Sequence, residues 1–291
     1  MLKNYPACTL HKISEHVWWF TPESRTDRPS LCAVVGRDEV VILDIGASPH
    51  HTRQFIEALS AEGINPPTYA VLTHWHWDHV FGISALECLV IAHEETAQNI
   101  TRMMRLDYSD KNLPNLVSAG HEVEFTREHM IIELSDSQRR KLSFRKPEIT
   151  FTKSLQLHLG DVTCDIQHVG GDHASDAVVI YIPEDELLFL GDCFYFTVYQ
   201  EPRRYTQAEI LPLVDTLEKF PAQTYVLGHS NELLSRADMQ DDFDLIRQIY
   251  ALLAEHSPEN VAVIKAELYQ NYDNELVDDY LTPILIGLDF A

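Results

Sequence analysis

The chain has 291 residues, 45% hydrophobic and 23% charged, a balance that suits a globular protein with a sizeable core and excludes a disordered one. Its 45 acidic residues against 22 basic ones leave a formal charge of −23, a field that repels nucleic acid and anionic membranes, so neither is an expected partner. The five cysteines are scattered with no Cys-x-x-Cys pair, Met1 to Ala7 lack a basic-then-apolar signal pattern, and no apolar run nears the ~20 residues of a membrane span, so a cytoplasmic location is expected.

Residues 8–20 and 31–44 read as strands, the second a hairpin of Leu31–Val35, a turn at Gly36-Arg37-Asp38, and Val40–Leu43. A helix is predicted from about Pro49 to Ala61, with Phe55, Ile56 and Leu59 on its apolar face and Gly63 near its end. A short strand, Tyr69–Thr73, runs straight into a His-rich stretch. Val80–Leu86 then reads as helical, Cys88–Ala92 as a strand and Glu94–Leu106 as a helix.

Residues 107–146 break this rhythm, being polar and charged with helical patches such as Arg127–Arg140. Strand signals return at Ile149–Phe151, Leu155–Leu159, Thr163–Val169, Ala177–Ile182 and Leu187–Leu190. Helices near Thr206–Lys219 and Met239–Glu255 flank a strand at Thr224–Leu227, and the end of the chain carries an apolar segment, Leu281–Leu288. Two similar halves, each of strands followed by helices, predict an α/β (α+β) fold in the form of a four-layer αββα sandwich. The expectation is a single domain over 1–291, with 107–146 inserted between the halves and 258–291 as a C-terminal extension.

The stretch His74-Trp75-His76-Trp77-Asp78-His79 puts four potential metal ligands immediately after a buried strand. In extended backbone alternate side chains share a face, so His74 and His76 point together; as the chain turns into the next helix, Asp78 and His79 swing to a neighbouring position. One short segment thus offers ligands to two metals. Imidazole nitrogen and carboxylate oxygen suit zinc, with iron or manganese as alternatives. The competing reading is a His-rich surface loop that binds nothing.

This pattern resembles the signature of the metallo-β-lactamase superfamily, and the likeness continues downstream. His173 stands in Gly170-Gly-Asp-His-Ala-Ser-Asp, Asp192 in Leu190-Gly-Asp-Cys and His229 in Val226-Leu-Gly-His-Ser, in the family's order and each beside a strand. The resemblance covers about residues 32–232. It implies the metallo-β-lactamase fold and two divalent metal ions, zinc first. His74, His76 and His173 would hold one, Asp78, His79 and His229 the other, with Asp192 bridging both.

The same resemblance gives Asp44 a supporting role behind a ligand, against a simple turn residue, and Tyr195 a part in stabilising an oxyanion, against a core aromatic. Cys193 reads as a small buried hydrophobe and His168 as structural, while His93, His121 and His129 read as surface residues. Residues 107–146 read as a lid over the metals or a subunit contact. Their basic end, Arg139-Arg140-Lys141 with Arg145 and Lys146, is either an anion grip or a solvated helix face. Leu281–Leu288 is a second candidate for contact between copies in a homo-oligomer.

True β-lactamases of the superfamily carry Cys or Ser where this chain has Asp192, and flavodiiron members carry Glu where it has His76. The likeness is therefore to the glyoxalase II and lactonase-like binuclear hydrolases. It implies attack by a metal-bound hydroxide on a small-molecule ester, thioester or lactone, with Asp78 orienting the nucleophile and assisting proton transfer and Tyr195 donating to the oxyanion. Two alternatives stand beside it: a phosphodiesterase or sulfatase acting on a small anionic substrate, and a non-catalytic metal-binding protein.

Overall fold

The computed structural model describes residues 8–256 and 258–290, so the N-terminal segment read above for a signal lies outside the described residues. The first sheet takes its strands in chain order: β1 (Leu10–Lys12), β2 (Val17–Phe20), β3 (Leu31–Val35), β4 (Val40–Leu43), β5 (Tyr69–Val71), β6 (Leu89–His93) and β7 (Ile149–Phe151). β1 to β4 are antiparallel neighbours, and β4 to β7 run parallel. The second sheet holds β8 (Ser154–His158), β9 (Thr163–His168), β10 (Val178–Ile182), β11 (Leu187–Gly191), β12 (Thr224–Leu227) and β13 (Leu234–Ser235), in the order β13-β12-β11-β10-β9-β8. Here β11 and β12 are the parallel pair.

Strands buried on both faces, such as β4, β10 and β11, read as continuous apolar runs because each face meets a different layer. Val41, Leu43, Val71 and Ile91 of the first sheet meet Val178, Ile180, Phe189 and Val226 of the second in a central core. Helices cover both outer faces: α1 (Pro49–Ala61), α2 (Trp77–Val80), α3 (Glu94–Met103), α4 (Leu113–Ser118), α5 (Glu124–Glu133) and α6 (Asp136–Arg139) precede β7. After the second sheet's strands come α7 (Gln207–Leu217), which lies between β11 and β12, then α8 (Arg236–Glu255), α9 (Val261–Leu268) and α10 (Asn274–Gly287). Phe55, Ile100, Leu113 and Met130 pack on the first sheet, and Leu213, Phe243, Ile246 and Leu281 on the second. The four expected layers are present.

Local signals explain the boundaries that hold. Ser48 caps α1 by accepting from the His51 amide at 3.0 Å, Pro49 starts the helix, and Gly63 follows its end at φ 79°. Differences arise where tertiary contacts decide. Residues 8–20 form a β1–β2 hairpin rather than one strand. The helix expected over Val80–Leu86 is instead a tighter turn at Phe81–Ala85, directly after the short α2. Arg127–Arg140 splits in two, because Ser135 opens α6 through a capping box with Gln138.

Residues 107–146 precede β7, so they lie within the first half and not between the halves. Leu281–Leu288 is spoken for within the chain: Leu281 and Ile284 are fully buried, and the Tyr205 amide donates to Pro283 O at 3.2 Å. No described helix is long and apolar enough to cross a membrane.

Candidate metal centre

The sheets bring the named residues together because several strands end at one rim. The chain leaves β5 into His74, His76 and α2; β11 ends in Gly191 and Asp192; its parallel neighbour β12 ends one residue before Gly228 and His229. Carboxyl ends of parallel strands are where open α/β sheets place their sites. His173 arrives on the loop joining β9 to β10, which closes when Val169 and Gly170 donate to Ala177 O.

Two glycines make the approach possible. A Cβ on Gly191, whose φ is 51°, would lie 2.8 Å from the Thr73 side chain, and one on Gly228 would lie 1.9 Å from Asp192 Oδ1.

The side chains fall into two abutting clusters. His74, His76 and His173 offer nitrogen atoms within 4.8 Å of one another, as do the donor atoms of Asp78, His79, Asp192 and His229. Asp192 Oδ2 stands between the clusters, 3.2 Å from His79 Nε2, 3.2 Å from His229 Nε2 and 3.4 Å from His173 Nε2. Asp78 Oδ2 lies 3.2 Å from the same His79 and His229 nitrogens.

Rings are held by their far nitrogens. His79 Nδ1 meets Asp44 Oδ2 at 2.8 Å, His173 Nδ1 meets Phe196 O at 3.0 Å, and His74 Nδ1 meets Thr73 Oγ1 at 3.0 Å. With Nδ1 so engaged, Nε2 is turned toward the cluster. Asp44 is itself completely buried at φ 59° and accepts from the Thr73 amide and hydroxyl at 2.7 and 2.8 Å. It is a supporting residue and not a surface turn.

Burial holds the imidazoles of His173, His74 and His76 below their ordinary pKa, the latter two far below, so they stand neutral with a lone pair to give. His79 and His229 go the other way: burial opposes their charge, but the carboxylates of Asp78 and Asp192 outweigh it. The same imidazoles drive both carboxylates well down against burial.

Metal fit can be tested on unpartnered atoms. His74 Nε2, His173 Nε2 and Asp192 Oδ1 are buried without a hydrogen bond, although buried polar atoms are ordinarily paired. Three such atoms on residues of the two clusters, with the neutral imidazoles of His74, His76 and His173 and the carboxylates of Asp78 and Asp192 beside them, fit a pair of divalent cations. The two adjacent clusters could hold a binuclear metal site.

Tyr195 lines the cavity above the clusters, its ring 6.2 Å from both His173 and His229, and burial raises its phenol pKa so that the proton stays on. Cys193 is buried, with its thiol raised by desolvation. His168 donates to or accepts nothing from the clusters; its Nε2 meets Ser175 O at 2.8 Å.

None of the three histidines expected at the surface is fully exposed. His93 is buried, stacked on His168 at 4.1 Å and bonded to Thr152 O, because it caps α3 beneath the sheet rim. His129 is half-buried and lines the cavity, since α5 is drawn down onto the site. His121 is half-buried too.

The basic end of the insertion is no grip on this cavity. Arg139 is buried and donates to the carbonyls of Tyr108, Met130 and Leu134 and to Asp110, while Arg140 pairs with Asp136 and Arg145 with Glu148.

Sequence reasoning missed three residues at the site. Asp27, raised to about 6 by burial, sits 3.7 Å from His229 Nδ1. The Tyr199 ring lies tilted against those of His76 and Trp75, its centroid 4.6 Å from each, and its hydroxyl donates to Glu122 Oε2 at 2.9 Å. Glu122, reached from the insertion, is buried and raised to about 7. The aromatic run Phe194-Tyr-Phe-Thr-Val-Tyr was the available signal for Tyr199; nothing local marks the other two.

Comparison with known proteins agrees with this picture. The family model described as the metallo-beta-lactamase superfamily matches residues 25–229. A metallo-beta-lactamase type 2 from Bacteroides fragilis is 22% identical over 204 residues, covering 68% of this chain and 67% of that protein. Among solved structures, a metallo-beta-lactamase from Pontibacter korlensis superimposes with a TM-score of 0.57 at 19% identity, covering 82% of this chain and 98% of the other. The DIM-1 metallo-beta-lactamase gives 0.55 at 19% identity, covering 81% and 95%. At such identities the structures speak for the fold, and with the family match the conclusion is plain: the chain belongs to the metallo-beta-lactamase superfamily.

Proposed function

We propose that this protein is a binuclear metal-dependent hydrolase of a small-molecule ester, thioester or lactone. The observation that carries the reading is the pair of abutting clusters that meet at Asp192 Oδ2, with buried imidazole nitrogens left unpartnered. His74, His76 and His173 would hold one ion, zinc being the first choice, and Asp78, His79 and His229 the other, with Asp192 shared. Such a pair of ions polarises a carbonyl and brings the pKa of a water to near neutrality.

The protein's own groups do the rest. Asp78, facing the cavity, orients the attacking water and carries its proton toward the leaving group at a carboxylate oxygen. The Tyr195 hydroxyl, kept protonated, donates to the oxyanion as it develops. Asp44 and the Phe196 carbonyl hold His79 and His173 in register. Residues 107–146 serve as a cover, with Phe125, Thr126 and His129 excluding water from one side.

Purified protein should contain two metals per chain and turn over activated esters, thioesters or lactones. Bis-aryl phosphates test the phosphodiesterase alternative, which loses its support with Arg139, Arg140 and Arg145 engaged elsewhere. A chromogenic β-lactam is the control that the relatives' names demand. Preference for the phosphate or the lactam would replace the substrate class, and two bound metals with no turnover of any of them would leave a metal-binding protein.

A further inference from the structure

The cavity over the clusters has a volume of about 330 Å³, and its wall contains a cation that forms no ion pair with a described residue. Arg203 lines this wall with its guanidinium 4.6 Å from the ring of Phe125 and 5.6 Å from that of Phe196. The two rings come from separate segments, the insertion and the loop after β11, and together they hold the guanidinium while leaving its donors unspent. Arg203 makes no hydrogen bond or ion pair with any described residue.

Nearby arginines differ. Arg28 is bidentate to Glu133, Arg139 is used up on carbonyls and Asp110, and Arg204 donates to Pro202 O and Gln200 Oε1. In a chain with 45 acidic residues, a missing carboxylate is not a matter of supply. A half-buried guanidinium between apolar rings leaves five N–H donors short of partners, and an oxyanion satisfies them by charge-assisted, bidentate bonds.

We propose that Arg203 recognises an oxyanion carried by the substrate, a carboxylate or sulfonate-type group joined to an aromatic or aliphatic body that packs between Phe125, Phe196 and Val198. This rests on the hydrolase reading and narrows its substrate to an ester, thioester or lactone with an anionic tail.

The test compares para-nitrophenyl acetate with mono-para-nitrophenyl glutarate, using metal-loaded full-length protein. The wild type should prefer the glutarate ester in kcat/KM, and Arg203→Gln should reduce that preference roughly 10- to 100-fold, chiefly through KM. Arg203→Lys, which keeps charge without the fork, should fall between them and guards against a folding defect in the first variant. A preference unchanged within about twofold in both variants overturns the proposal.

A second readout needs no turnover. Phenylpropanesulfonate, a poor metal ligand, should bind calorimetrically to the wild type and at least about tenfold more weakly to Arg203→Gln. Arg203-dependent sulfonate binding without hydrolysis of any ester would sink the hydrolase reading and keep the anion site. Ester turnover with sulfonate binding indifferent to Arg203 would do the reverse.

Discussion

The floor of the cavity and its wall are built in different ways. The floor is made of side chains at or just beyond strand ends, three of them with the far ring nitrogen tied: His79 to Asp44, His173 to Phe196 O, His74 to Thr73. The wall is made of two segments, the helical insertion 107–146 and the irregular stretch after β11, joined to the body by a few buried ties. One is the Glu133 carboxylate, which takes two bonds from Arg28 at 2.9 Å and one from Ser48. Another is Glu122 to Tyr199. Strand ends fix donors in place for chemistry, while loops can be altered without moving that frame. The proposed chemistry and the proposed selectivity thus rest on separate parts of the chain.

Breaking the floor should have the largest effect. Asp192→Ala removes the carboxylate that faces both clusters, so metal content and hydrolysis should fall together; full activity with one metal per chain would contradict the two-metal scheme. Cutting the wall's main tie comes next. Glu133→Ala leaves the Arg28 guanidinium buried without its carboxylate and should cost about 3–5 kcal/mol in urea unfolding, as a buried pair does when one partner goes. A loss below about 1 kcal/mol would mean that the insertion is hardly anchored.

Smaller changes sharpen the contrast. Asp44→Asn should weaken metal binding roughly 10–100-fold in a chelator titration, with the fold intact. Tyr195→Phe should lower kcat about 10–100-fold with little change in metal content, and unchanged kinetics would return Tyr195 to a packing role.

Glu122 offers the mildest test. Burial lifts its folded pKa from an ordinary 4.5 to about 7, so the native state keeps a proton that the unfolded chain releases in that window. Its contribution is whole below the lower value and is lost as pH rises through the upper one. Melting of Glu122→Gln relative to wild type should therefore improve between about pH 5 and about pH 8; a constant difference would mean that Glu122 titrates normally.

The floor was legible in the sequence because its signal is local. His74, His76, Asp78 and His79 sit within one turn of chain, and the Gly-Asp and Gly-His pairs mark close approaches that a Cβ would block. Short apolar runs likewise located most strands, β3, β4, β7 and β12 to the residue. The wall was not legible. Whether His129 or Arg203 faces a cavity depends on how α5 and the loop after β11 meet, and no local pattern encodes that meeting. The Arg139–Lys146 run looked like a grip because sequence shows charge but not its partners; Arg139 turned out to be a buried tie for carbonyl groups.

The far end of the chain has a part in this division. α10 lies so close to Tyr205 that a Cβ on Gly287 would sit 1.7 Å from the Tyr205 carbonyl oxygen, and Phe290 lies beneath Arg204 at 3.9 Å. The segment bearing Arg203 is thereby propped from below by residues that contribute nothing to the chemistry. Trimming the protein ahead of Tyr280, an ordinary step when shortening a gene for crystallisation, would leave every cluster histidine present and still loosen the anion site proposed at Arg203.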